Sequence, residues 1–229
     1  MKFKIMLINP PRVNGFPVVR EERFEHKDIG SVYPPLSLLY MAAILEKDPD
    51  FEIKLLDANG FDLSLNRVYS EITEFSPDMV ISRTGFDTQN EDLKIFGTAK
   101  DAGAFTILRN KIIADVPEIR DKILKEHPVD IFIDSEPEAV IMDLARTLYE
   151  NKKSLPEREF PSACLRDPDC KETPPSLDFL QKVKGISYYS GSAVHTSEKE
   201  ENINDLDLLP FPAYHLLPSL NVYHTGVLQ

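Results

Sequence analysis

Two short stretches carry the polar groups best suited to hold a ligand. One is Asn9-Pro10-Pro11-Arg12-Val13-Asn14-Gly15, the other Ser82-Arg83-Thr84-Gly85-Phe86-Asp87-Thr88. Each directly follows an apolar run that reads as a strand. The second is rich in hydroxyls and precedes a helix start, a combination that suits a phosphate or a ribose. The same residues also admit a local role, in which Asp87 or Thr88 caps the following helix. Two more such runs lead into Arg109-Asn110 and into Asp134-Ser135-Glu136-Pro137-Glu138. Glu136 and Glu138 also suit the first turn of a helix, where acids complement its dipole.

Several chemistries lack their residues. No G-x-G-x-x-G follows the first strand and no G-x-x-x-x-G-K-S/T occurs, which argues against dinucleotide and P-loop binding. A phosphoacceptor site needs acids after strand one and an Asp after strand three, where Asn9 and Ser82 stand instead. No nucleophile elbow or Ser/His/Asp grouping supports a hydrolase. The histidines show no metal spacing: His26 falls in a loop, His127 at a helix end, and His195, His215 and His224 in the tail. Cys164 and Cys170 read as free thiols. Two cysteines imply no disulfide framework and suit a reducing cytosol, so a cytoplasmic protein is expected. Lys and Arg total 26 against 38 Asp and Glu, a net charge of −12, which repels phosphate backbones and argues against nucleic acid as a partner. No apolar run approaches the ~18 residues of a membrane span.

The elements that must position these groups are legible over residues 1–150. Strands are predicted at 4–8, 53–56, 79–82, 105–108 and 129–133. They are apolar without polar alternation, as in parallel sheets covered on both faces. Helical patterns lie between them. Leu36, Leu39, Ala43 and Leu45 follow Pro34-Pro35. Leu65, Val68, Ile72 and Phe75 follow a possible N-cap at Ser64. Leu93, Phe96 and Ala99 make a third, Ile119, Ile123 and Leu124 (opened by Pro117) a fourth, and Val140, Leu144 and Leu148 a fifth. This alternation predicts an α/β domain, a doubly wound five-stranded parallel sheet in order 2-1-3-4-5, Rossmann-like or flavodoxin-like. Its ligand crevice would open between strands one and three. Residues 151–229 differ. A proline-rich irregular linker (151–175) leads to a hairpin turning near Ser190-Gly191, then to a strap, 204–214, too proline-rich for a helix and too apolar to lie free in water.

The run Ile8-Asn9-Pro10-Pro11, the stretch from Gly30-Ser31-Val32-Tyr33-Pro34-Pro35-Leu36 to Glu46, and Phe75-Ser76-Pro77-Asp78-Met79-Val80-Ile81-Ser82 resemble the N-terminal domain of cobalamin-dependent radical SAM enzymes. The hairpin at 185–189 and the strap at 205–218 resemble the segments that join it to the radical SAM barrel. The resemblance implies a cobalamin-binding module serving methyl transfer or a related radical reaction. It implies contacts to the cofactor from Asn9, Pro10, Pro11, Tyr33, Pro34, Ser82, Arg83, Thr84, Thr88, Arg109, Asn110, Ser135 and Glu136, with no histidine on cobalt. The family's C-x-x-x-C-x-x-C is absent from these 229 residues. The 4Fe–4S cluster and S-adenosylmethionine are therefore expected only in a C-terminal radical SAM domain, the implied partner, and this chain alone is not expected to be catalytic. Two departures support an alternative, a degenerate scaffold or docking domain that no longer binds cobalamin. Arg109-Asn110 stands where the family has Gly-Gly, and Ser135 replaces the glycine of a Gly-Glu pair.

Overall fold

The computed structural model describes residues 2–21, 24–27, 31–154, 176–190 and 193–224, apart from the side chains of 24–27, 153 and 154. Cys164 and Cys170, and residues 155–175 of the expected linker, lie outside the described residues. In chain order the elements are β1 (Phe3–Asn9), β2 (Val18–Glu21), β3 (Phe24–Lys27), α1 (Leu36–Leu45), β4 (Phe51–Asp57), α2 (Leu65–Phe75), β5 (Met79–Arg83), α3 (Gln89–Asp92) and α4 (Ile95–Asp101). They continue with β6 (Phe105–Arg109), α5 (Lys111–Ala114), α6 (Pro117–Glu126), β7 (Ile131–Ile133), α7 (Pro137–Ser154), β8 (Ile186–Ser190) and β9 (Ala193–Thr196).

One mixed sheet has the order β4-β1-β5-β6-β7-β8-β9. Its first five strands are parallel and follow the expected 2-1-3-4-5 order. The sheet is seven-stranded rather than five-stranded, because the C-terminal hairpin joins it. β8 pairs antiparallel with β7, and β9 with β8. β7 has only three residues, and β8 covers what would otherwise be an open parallel edge.

Period-two alternation divides the core. Phe3, Ile5 and Leu7 of β1 face one layer with Met79, Ile81, Ile107, Ile131 and Ile133, under α1 and α7. Met6 and Ile8 face the other with Val80, Leu108 and Phe132, under α2, α4, α5 and α6. A strand covered on both faces needs apolar residues at successive positions, which is why these runs read without alternation. Ser64 caps α2 as expected, accepting from the Arg67 N–H at 3.3 Å.

Four local expectations change. Strand five starts at Ile131 rather than at 129. The third helix is broken into α3 and α4 near Leu93-Lys94. Residues 151–154 continue α7 rather than starting the linker. His26 lies on β3, in a hairpin whose short Val18-Val19-Arg20-Glu21 run is too brief for a period to show. The strap does pack. The Ala213 N–H donates to the Leu39 carbonyl, and Ala213 and Leu217 are buried against α1. Leu206, Leu208 and Phe211 remain exposed, Phe211 at 95%. Among the described residues no helix is long and apolar enough to cross a membrane.

Candidate functional site

The crossover from β1 leads to β4 on one side, and the next crossover leads to β5 on the other, so the strand order reverses between β1 and β5. In an open parallel sheet a ligand enters there, outside the carboxyl ends of the strands. Four expected site residues, Pro10, Pro11, Thr84 and Thr88, do converge on this crevice. They converge on a side chain of the same chain. Arg20 of β2 reaches in and is 3% exposed. Its Nε and Nη2 donate to Asp92 Oδ2 and Oδ1 at 2.9 and 2.7 Å, and its Nη1 and Nη2 donate to the Pro10 and Pro11 carbonyls at 3.1 and 2.9 Å.

Asp92 is 2% exposed. Its Oδ2 also accepts from Thr88 Oγ1 at 2.5 Å, Thr84 Oγ1 at 3.1 Å and the Gly85 N–H at 3.2 Å. The hydroxyls and the N–H that suit a phosphate are thus turned onto a carboxylate. Thr88 occupies the N-cap of α3, yet its hydroxyl goes to Asp92 and makes no cap bond. The next residue of β2, Glu21, points the other way, because successive strand residues face opposite sides. It accepts from the Ser37 N–H and hydroxyl at the start of α1, both at 3.2 Å, and lies 3.5 Å from the Arg83 guanidinium. Arg83 itself is buried and donates to Ser37 Oγ. The hairpin therefore spans the crevice and ties both helical layers together. Breaking a buried ion pair by removing one partner costs about 3–5 kcal/mol, so this closure is firm.

The other expected residues are spread along the strand ends. Asn9 turns away from the crevice, and its amide donates to Asp57 Oδ1 at 2.7 Å. Asp57 also accepts from the Gly60 N–H at 2.8 Å and from the Tyr223 hydroxyl at 2.6 Å. Burial pushes its carboxyl above the usual range, against the pull of those three hydrogen bonds and the charge of Arg20. A Cβ at Gly60 would lie 2.3 Å from Asp57 Oδ2, so the close approach requires glycine. Ser82 is fully buried and donates to the Ile8 carbonyl at 2.9 Å. Arg109, also fully buried, runs sideways to the Ile133 carbonyl at 2.9 Å. Asn110 caps α5, accepting from the Ile113 N–H at 2.8 Å, and its amide crosses to the Thr84 carbonyl at 2.6 Å.

Beyond β7 the strand end is also covered. The Asp134 and Ser135 N–H groups both donate to the Gly185 carbonyl, and Ser135 Oγ accepts from the Glu200 N–H at 2.9 Å. Gly185 has φ +73°, and a Cβ there would lie 2.7 Å from Ser135. Asp134 accepts from Ser187 Oγ at 2.5 Å and lies 3.5 Å from Arg120. Burial raises its carboxyl, and Ser187 and Arg120 oppose that. Glu136 is half-buried at the head of α7.

Several apolar side chains among the described residues are exposed near the strand ends. Tyr33 (42%), Leu36, Phe86 and Ile112 are exposed there, ahead of α1, after β5 and after β6. Pro34 is half-buried beside Tyr33. A cleft of about 280 Å³ lies to one side, lined by Pro11, Arg12, Asp62, Ser64, Glu91 and Asp92. It falls just below the ~300–1,000 Å³ typical of small-molecule pockets and is bordered by three carboxylates. His224 pairs by its backbone with Val32, next to Tyr33, although its place in the tail gives no hint of this.

Similarity to known proteins agrees with this topology. No protein-family model matches the chain. A solved structure of the apo form of OxsB, a cobalamin-dependent S-adenosylmethionine radical enzyme, superposes with a TM-score of 0.59 over 93% of this chain and 24% of that one. The chain shares the fold of part of that enzyme. Identity between the two is 18%. An uncharacterized methyltransferase of Pyrococcus horikoshii, PH0819, is 22% identical over 218 residues, which are 94% of this chain. The chain spans 39% of that methyltransferase's length. Against a cobalamin the described residues divide in two. The crevice that would take its nucleotide tail is filled by Arg20 and Asp92. Near the strand ends, where a flat corrin ring would lie, Tyr33, Leu36, Phe86 and Ile112 are each exposed.

Proposed function

We propose that this chain is a corrinoid-presenting module of a longer S-adenosylmethionine radical methyltransferase. The observation that carries the reading is the exposure of Tyr33, Leu36, Phe86 and Ile112 near the carboxyl ends of the parallel strands. That is the ligand side of such a sheet. The corrinoid, when bound, supplies the methyl-carrying and redox chemistry. The residues of this chain supply a rigid floor. Arg109, Asn110 and Ser82 hold the strand ends together beneath it, and Tyr33 and Pro34 border it. The exposed Leu206, Leu208 and Phe211 of the strap offer a surface to the remainder of the longer protein, where the 4Fe–4S cluster and S-adenosylmethionine belong.

The test is a titration of the chain with hydroxocobalamin followed by absorbance. Saturable one-to-one binding is expected, weakened by Phe86→Ser together with Ile112→Ser. Each buried apolar side chain lost from such a contact removes up to about 1.5–3 kcal/mol, or roughly one to two decades of affinity. A second reading is favoured by the Arg20–Asp92 closure. In it the domain is a scaffold that docks to the radical domain without cofactor. Absence of binding by this chain would overturn the corrinoid reading and leave the scaffold reading standing.

A further inference from the structure

The two halves of the strand-end face make opposite demands on a corrinoid, and this inference rests on the reading of that face as a corrinoid site. We infer that the site takes the corrin ring with its nucleotide tail outside the protein, so that the tail contributes nothing to binding. The ligand class is then corrinoids in general, including tail-less cobinamides, rather than cobalamin in particular.

A tail inserted between β1 and β5 would need the space held by the Arg20 guanidinium, which makes two hydrogen bonds to Asp92 and one each to the Pro10 and Pro11 carbonyls. It would also need donors. Thr84, Thr88 and the Gly85 N–H already have partners in Asp92 Oδ2, the Gly85 carbonyl and the Thr88 hydroxyl. A tail phosphate that took the guanidinium for itself would leave the Asp92 carboxylate buried and unpaired, which is costly. Asn110 closes the next gap by bonding to the Thr84 carbonyl across the ends of β6 and β5. After β7, the Ser135 N–H and hydroxyl are taken by Gly185 and Glu200. No gap from β1 to β7 among the described residues keeps a free hydroxyl row for a ribose-phosphate.

The experiment compares hydroxocobalamin with aquahydroxocobinamide on the full chain, by absorbance titration at about 0.5 M salt, where charges several ångströms apart are screened. The salt suppresses attraction between cobinamide's additional positive charge and a chain of net charge −12. Cobinamide is expected to bind as tightly as cobalamin or more tightly. A preference for cobalamin beyond about threefold, a few tenths of a decade or more in affinity, overturns the inference and leaves the corrinoid site in place. Failure of both to bind overturns the inference and the corrinoid reading together. The double substitution Arg20→Ala, Asp92→Ala removes the plug and both charges. In this variant the ratio should move toward cobalamin by about tenfold or more. An unchanged ratio in a folded variant counts against the inference. If the variant does not fold, the wild-type comparison decides alone.

Discussion

Two buried carboxylates stand on either side of β1 at the same end of the sheet, and they close that end by different means. Asp92 faces a guanidinium, which grips both its oxygens. Asp57 is hydrogen-bonded by Asn9, Gly60 and Tyr223, all neutral. The first arrangement anchors the β2–β3 hairpin over the β1–β5 crevice. The second anchors the end of the C-terminal strap over β1 and β4, helped by the backbone bridge between Val32 and His224. A charge partnered by a charge tolerates burial. A charge partnered by dipoles is pushed toward its neutral form, which is what burial does to Asp57. Burial, and after it the same carboxylate, drives the Tyr223 phenol well above its ordinary range. The ligand crevice is thus held by an interaction that is costly to break, and the neighbouring edge by one that responds to pH.

Arg20→Ala should have the largest effect. It leaves Asp92 charged and buried, and a loss of about 3–5 kcal/mol in unfolding free energy is expected from urea denaturation. A loss under about 1 kcal/mol would mean that the hairpin is not a structural closure. Tyr223→Phe comes next. A buried acceptor left without its donor costs about 1–3 kcal/mol, and the loss should be concentrated in the strap, seen as faster amide exchange near Ala213 and Leu217 with the sheet unaffected.

The smallest effect is expected from Asp57→Asn, read as a pH profile. The folded value for Asp57 lies above its unfolded one, so the folded state holds the proton more tightly. Its contribution to stability is full below the unfolded value, about 3.9, and is lost as pH rises through the folded value. The variant should therefore gain on the wild type as pH is raised from about 4 toward neutrality. Parallel curves would contradict the account of Asp57.

Much of the scaffold was legible and much of the site was not. Strand order followed from apolar runs and the helices between them, because burial on both faces writes itself into consecutive residues such as Met79-Val80-Ile81. The Pro10, Pro11, Thr84 and Thr88 cluster was legible for the same reason: it follows from strand order. Arg20 and Asp92 were not, since their meaning lies in a contact between residues 72 positions apart. Arg20 sits in a four-residue strand, and Asp92 looks like an ordinary acid in the first turn of a helix. Asn110 was expected to intrude where glycine would serve. Its actual work as cap and cross-strand tie depends on α5, a four-residue helix too short for a periodic signal. His224 next to Val32 depends on the strap folding back, which no local pattern encodes.

The chain's own hairpin shuts the β1–β5 crevice through Arg20 and Asp92. A double-mutant cycle with Arg20→Ala and Asp92→Ala, read by urea denaturation, measures that interaction directly. The account predicts a coupling of about 2 kcal/mol or more, as befits a fully desolvated, bidentate pair. A coupling below about 0.5 kcal/mol, the value of an exposed ion pair, would show the guanidinium in water and the crevice open.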